Sequence, residues 1–219
     1  MWSWLLDELF PPRCIGCARR GLALCGPCRA ELPYLPQGVC ARCASHPGPH
    51  GCRGCRRLSP ALGWVRAPFA YAGAARTAVL TLKFRSGRYL TPLMGELLCD
   101  RLSELQFDTV VPVPLSPERQ RLRGFNQASL LAEHVSVRLN APLMTALSRA
   151  DRPSQRSLGE SGRLSNLRGA FTCCRDVGGE RILLVDDVVT TGATASACAD
   201  ALAHAGASRI CVLAFARDL

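Results

Sequence analysis

From about Gly63 onward, short apolar runs alternate with longer amphipathic stretches, which predicts strands separated by helices. Trp64 to Tyr71 carries β-formers and reads as a strand, and Ala74–Phe84 and Leu90–Leu102 read as helices. Thr109 to Pro114 is a short apolar strand closed by prolines. Asn126 to Leu139 has helical spacing, with Leu130, Leu131, His134 and Val135 on neighbouring turns. Pro142–Leu147, Phe171–Arg175, Arg181–Val185 and Ser208–Ala216 read as further strands. Ala195–Ala205 reads as a helix of small residues, with Gly206 at its C-cap position. This alternation predicts the α/β class, a largely parallel sheet flanked by helices on both faces.

Ile182 to Val185 is apolar on both faces, so the strand is buried in the sheet and Asp186 and Asp187 emerge, facing solvent, at its C-terminal edge. Open α/β sheets bind ligands at that edge. Thr190-Thr191-Gly192-Ala193-Thr194 follows as a turn into the helix. It offers small hydroxyls, close backbone approach at the glycine and the free N–H groups of a helix start, and Thr190 or Thr191 serves as the cap. A phosphate held there beside two carboxylates points to a sugar phosphate, its hydroxyls accepted by Asp186 and Asp187.

The strand ending at Pro114 also runs into a loop, which bears Arg119, Arg121 and Arg123. Guanidinium groups at this edge suit a polyanion such as pyrophosphate. A third segment, 152–171, is long and rich in Ser and Gly, the composition of a binding loop or lid. Its Arg156 and Arg163 suit closure over the same anion, with a simply disordered segment as the competing reading.

Residues 1–60 break the pattern. They are rich in Pro, Gly and Arg and poor in large apolar residues, and eight of the 13 cysteines of the chain form four identical knuckles there. These are Cys14-x-x-Cys17, Cys25-x-x-Cys28, Cys40-x-x-Cys43 and Cys52-x-x-Cys55. Two knuckles complete one tetrahedral four-sulfur zinc site, so the segment accommodates one or two structural Zn²⁺ ions, with sequential and crossed pairing both open. Zinc then supplies the folding energy that a core of this size lacks. His46 and His50 read as exposed loop residues. Met1–Phe10 reads as a short docking helix and not a signal peptide, and no apolar run reaches the roughly 18 residues of a membrane span. Metal-binding cysteines without a secretory signal indicate a cytoplasmic protein. The predicted division is a zinc module at 1–60 and an α/β domain at 61–219.

The net charge is +10 and uneven. Residues 1–60 hold eight arginines against three acids, and 115–170 hold nine against four, whereas 171–219 hold four against six. That distribution suits an anionic substrate and also permits single-stranded DNA, although scarce Trp and Tyr leave no evident stacking platform.

Val185–Thr194 resembles the phosphoribosyl pyrophosphate (PRPP) loop of type I phosphoribosyltransferases. With the four knuckles, Leu82-Lys-Phe84, Val111-Pro-Val-Pro-Leu115, Arg123-Gly-Phe-Asn-Gln127, Gln155-x-x-Leu158, Arg163-x-x-Asn166 and Gly169-Ala-Phe171, nearly the whole chain resembles the ComF family. Arg156 stands where relatives often carry Lys. The resemblance implies a phosphoribosyltransferase fold that binds PRPP with Mg²⁺ and passes the phosphoribosyl group to an unknown acceptor, in a family linked to competence and DNA uptake. It implies that Asp186 and Asp187 bind the ribose hydroxyls and that the loop from Val188 and Val189 through Thr190, Thr191, Gly192, Ala193 and Thr194 wraps the 5-phosphate. It also places Lys83, the only lysine, near the pyrophosphate. The competing reading is a non-catalytic PRPP- or DNA-binding module on the same fold.

Overall fold

The computed structural model describes residues 11–48, 52–100, 106–150 and 169–219. Within the cysteine-rich segment the only helices among the described residues are two short turns, α1 (Gly26–Ala30) and α2 (Arg53–Arg57). The α/β part then runs β1 (Leu62–Arg66), β2 (Phe69–Ala70), α3 (Gly73–Leu82), a 3₁₀ turn (Arg85–Leu90), α4 (Thr91–Cys99) and β3 (Thr109–Pro112). It continues as α5 (Pro117–Arg123), α6 (Gln127–Leu139), β4 (Leu147–Arg149), β5 (Phe171–Cys173), β6 (Arg181–Val189), α7 (Ala193–His204) and β7 (Arg209–Arg217). No helix among the described residues is long and apolar enough to cross a membrane.

The main sheet has the order β1-β7-β6-β3, with β2 also on β7, and every pairing in it is parallel. Helices cover both faces, as the alternation predicts. The pleat divides β6 between two cores. Leu183 and Val185 pack with Leu213 and Phe215 against α3, α4 and α6, while Ile182 and Leu184 pack with Val212 and Ala214 against α7 and β5.

Three expectations change. The strand read across Trp64–Tyr71 is broken into β1 and β2 at Ala67 and Pro68, because proline has no N–H for the ladder. The Pro68 carbonyl instead accepts from Leu35 N at 2.9 Å. Pro142–Leu147 is no strand. It touches β3 through one bridge at Leu143, and the strand proper, β4, begins at Leu147 and pairs antiparallel with β5. The arginine loop after Pro114 is helical: Ser116 caps α5, Pro117 opens it, and Gly124 ends it at φ 75°.

The cysteine-rich segment is built into both cores. Ile15 and Leu32 join one, and Cys43 and Leu58 join the other. Tyr34 stacks on Phe69 at 5.1 Å, Arg29 pairs with Glu96 at 2.7 Å, and the carbonyl of Arg42 accepts from Val65 N at 2.7 Å. The docking helix expected at Met1–Phe10 lies outside the described residues.

Candidate functional site

Strand β6 continues four residues past Val185, so Asp186 and Asp187 lie within the sheet, Asp186 in register with Ala214 of β7. This corrects the expectation of a solvent-facing pair. Both are largely enclosed, and the pleat turns them to different neighbours. Asp187 Oδ2 lies 3.8 Å from Lys83 Nζ at the end of α3, whereas Asp186 lies within electrostatic reach of Arg149 and Cys198 on the other face. Burial pushes the Asp186 carboxyl well above the usual carboxylate range, and the charge of Asp187 pushes it further. Asp186 Oδ1 accepts from the Asp187 backbone N–H at 2.8 Å.

The side chains of Val188 and Val189 pack into the two cores, leaving only their backbones to line the edge. The turn from Thr190 to Gly192 then leads into α7. Gly192 occupies the N-cap position at φ 82°, a left-handed conformation that a side chain disfavours. A Cβ there would lie 2.4 Å from Cδ2 of Leu58. Thr191 Oγ1 accepts from Ala193 N at 3.3 Å, so the expected threonine acts just ahead of the helix. Thr190 is exposed and Thr194 partly exposed at this edge.

Helix α5 divides the three loop arginines. Arg119 and Arg123 are one turn apart and share a side. Arg123 lies within electrostatic reach of Asp187 and Arg119, while Arg121 points away from that side and is exposed. A further guanidinium joins them that no local pattern singles out, Arg149 at the end of β4. It sits over the Phe171 ring at 5.2 Å and feels both Arg119 and Asp186. Burial lowers the pKa of Arg123 and Arg149, and Arg119 lowers both further. Among the described residues, none of the three has a carboxylate within ion-pair distance. Three cations with no carboxylate partner among the described residues thus gather beside the acidic pair, Arg123 within reach of Asp187, Arg149 within reach of Asp186 and Arg119 beside both arginines. Arg156 and Arg163 lie outside the described residues.

Arg217 is the second residue that sequence reasoning missed. It is 4% exposed at the end of β7, and it donates to the carbonyls of Val189 at 2.9 Å and of Thr190, which open the turn. It also donates to Cys43 O at 3.1 Å and Ser45 Oγ at 2.6 Å.

The sulfurs of Cys14, Cys17, Cys25 and Cys28 converge, and so do those of Cys40, Cys43, Cys52 and Cys55, each set within 4.8 Å. Pairing is therefore sequential. Cys14 and Cys17 lie 3.7 and 3.8 Å from Cys25, close to the edge of about 3.8 Å of a tetrahedron with zinc–sulfur bonds of about 2.3 Å. The second set is tighter, at 3.4 and 3.1 Å. Both fit structural zinc with every ligand position filled, and His46 is exposed and belongs to neither set.

Residues 5–59 match the double zinc ribbon domain family. The chain is 31% identical to DNA utilization protein YhgH of Escherichia coli O157:H7 over 94% of its length and 89% of the other. It is 30% identical to competence protein ComFC of Bacillus subtilis (strain 168), over 84% of its length and 79% of that protein. Among solved structures, the glutamine PRPP amidotransferase from B. subtilis with ADP and GMP is similar at a TM-score of 0.43 and 20% identity, covering 61% of this chain and 30% of the other.

Proposed function

This chain belongs to the ComF family of competence and DNA-utilization proteins, and we propose that it binds PRPP with Mg²⁺ and transfers the phosphoribosyl group to an acceptor, releasing pyrophosphate. The observation that supports this reading is the arginine group Arg119, Arg123 and Arg149, without a carboxylate partner among the described residues, with Arg123 within reach of Asp187 and Arg149 within reach of Asp186. Arg123 and Arg149 are partly buried and Arg119 is exposed, and partly buried cations without carboxylate partners are costly unless an anion completes them. A ligand that brings a diphosphate to the arginines and hydroxyls to the aspartates satisfies both halves.

The carboxylate pair fits Mg²⁺, a cation that takes oxygen ligands from one or two carboxylates and substrate phosphates and that offsets the burial and the repulsion by Asp187 that hold the Asp186 pKa high. Bound there, it would supply charge neutralisation to the diphosphate. The protein does the rest by position. Asp186 and Asp187 accept the ribose hydroxyls, and the turn from Thr190 to Thr194 holds the 5-phosphate on its N–H groups and hydroxyls. The arginines and Lys83 stabilise the pyrophosphate as C1 turns oxocarbenium-like. Arg156 and Arg163 are assigned to the same anion, and 61–219 is assigned as the unit that carries the chemistry. Two Zn²⁺ ions serve structure alone, in a reducing, cytoplasmic setting.

Calorimetric titration of PRPP with and without Mg²⁺ tests the reading. Asp186→Asn with Asp187→Asn is expected to abolish Mg²⁺-dependent binding, and undiminished affinity in that variant overturns the site.

A second reading rests on a different observation. Arg19, Arg20, Arg53, Arg56 and Arg57 are all exposed on the zinc module, and relatives are named for DNA utilization. A weak, sequence-independent grip on single-stranded DNA follows, and neutralising these five residues is expected to flatten its salt dependence.

A further inference from the structure

Among the described residues, one buried side-chain polar atom has no hydrogen-bond partner, Nε2 of Gln127. Gln127 is 1% exposed and stands at the first position of α6. A donor buried without an acceptor destabilises the fold, and methionine would fill the same space without that penalty, so the amide calls for an explanation. Its place in the fold supplies one. Gln127, Leu131 and Val135 follow at helical spacing along one side of α6, and Leu131 and Val135 share a core with Leu183 and Val185 of β6. The neighbouring Asn126 donates from Nδ2 to the Val113 carbonyl just past β3 at 2.9 Å, so α6 starts at the ligand-binding edge and runs back along the sheet. Gln127 therefore lies one turn nearer that edge than Leu131, over the face of β6 that carries Asp187 beyond Val185. Arg123, four residues earlier, is within electrostatic reach of the same carboxylate.

Asp187 has need of a second donor. Its Oδ2 is paired with Lys83 at 3.8 Å, longer than a hydrogen bond. A diphosphate that draws Lys83 to itself leaves Asp187 an enclosed carboxylate beside Asp186, without its cation. We propose that Gln127 is a positioning residue for Asp187: when pyrophosphate takes Lys83, the Gln127 amide turns to donate to the Asp187 carboxylate and holds it toward the ribose. The ligand in this inference rests on the PRPP reading given above, whereas the pairing of Gln127 with Asp187 rests on the fold. A neutral donor suits the task. A second cation here would compete with Mg²⁺ for Asp187, but an amide fixes the direction of the carboxylate and leaves its charge for the metal and the hydroxyls. The unpartnered state of Nε2 is then the ligand-free half of an exchange, in which lysine and glutamine hold Asp187 in turn.

The experiment records the side-chain amide signals of the full chain by ¹⁵N NMR, with the Gln127 pair assigned as the one missing from Gln127→Met. That pair is expected to move downfield, as a donor does on bonding to a carboxylate, when inorganic pyrophosphate is added and also in ligand-free Lys83→Met. It is expected to stay in place in Lys83→Met with Asp187→Asn. By calorimetry, Gln127→Met is expected to weaken pyrophosphate binding about tenfold while the melting temperature of the free protein holds or rises, because an unsatisfied donor is gone. In an Asp187→Asn background the same substitution is expected to change affinity by less than about twofold. An amide pair that does not move in Lys83→Met overturns the proposal, whether or not pyrophosphate binds. So does an undiminished effect of Gln127→Met in the Asp187→Asn background, or a loss of affinity that only accompanies a lower melting temperature, which would make Gln127 structural. A protein that shows these Gln127 effects with pyrophosphate yet has no affinity for PRPP would fail the PRPP reading and leave the role of Gln127 standing.

Discussion

The guanidinium of Arg217 donates from Nε to the backbone carbonyl of Cys43 at 3.1 Å, joining the last strand to a metal-binding knuckle 174 residues away. Its Nη1 holds the carbonyls of Val189 and Thr190, so one buried side chain links the second cysteine set to the start of the phosphate turn. Two further contacts run the same way. Leu58, three residues past Cys55, underlies Gly192, and Ser59 bonds to Ser196 and Asp200 of α7. The first cysteine set is attached elsewhere, through Arg29 to Glu96 and through the Arg13 carbonyl to Tyr89.

The two structural metal sites are therefore expected to differ in what they hold in place. Cys52→Ser with Cys55→Ser should lower ribose 5-phosphate affinity about tenfold or more while leaving pyrophosphate affinity within a few-fold, because only the turn loses its support. Cys14→Ser with Cys17→Ser should leave both affinities near the parent value. Zinc analysis alongside calorimetry checks this, with one ion lost from each variant. Equal effects from the two pairs would remove the assigned link.

Gly192 offers a sharper probe of the same contact. Gly192→Ala places a Cβ against Leu58 and forces alanine into a left-handed backbone, the latter costing about 1–2 kcal/mol. Phosphate-ligand affinity should fall, and Gly192→Ala with Leu58→Ala should recover only the part due to the clash. Full recovery would show that the backbone conformation contributes nothing.

Much of this was legible in the chain because it is local. Apolar runs marked β3, β6 and β7, the knuckles marked the metal-binding cysteines but not which knuckles share an ion, and the Asp-Asp and Thr-Thr-Gly-Ala-Thr segment marked the edge between β6 and α7. Helix α5 was legible in principle, through Ser116, Pro117 and Gly124, but its run of arginines masked the signal. The true length of β6 depends on β7 extending to Arg217 beside it. Arg149 and Arg217 carry no local mark, since their roles come from partners brought together only by the fold: Arg119 and Asp186 for one, Cys43 and Val189 for the other.

Ligand binding should release a proton. A carboxyl whose folded pKa is raised, as burial and Asp187 raise that of Asp186, binds more protons in the folded than in the unfolded protein. Its contribution to stability is therefore present at low pH and declines as pH rises from the unfolded value of about 3.9 through the raised folded value. Mg²⁺ and the ribose hydroxyls require the ionised form, so within that window binding expels the proton. Calorimetry in two buffers of different ionisation enthalpy should show the release, and Asp186→Asn should lose it. Identical proton counts in parent and variant would assign the titration to the ligand alone.

The arginines divide by geometry, and that division is testable one residue at a time. Arg119, Arg123 and Arg149 sit within electrostatic reach of one another or of the acidic pair, with like charges crowded together and no carboxylate partner among the described residues. Each to Met should weaken inorganic pyrophosphate binding, by about 1.5–3 kcal/mol for a charge-assisted bond, or roughly ten- to a hundredfold. The same changes relieve mutual repulsion, so the ligand-free protein should be no less stable and its melting temperature should hold or rise. Arg121 lies on the other side of α5, and Arg121→Met should change pyrophosphate affinity by less than about threefold, the share owed to net charge alone. Opposite signs for stability and affinity at Arg119, Arg123 and Arg149 separate a ligand site from a structural one, because a structural cation loses both when removed. Equal losses of affinity at Arg121 and Arg123 would instead make the effect a general surface field, and the pyrophosphate assignment would fall with it.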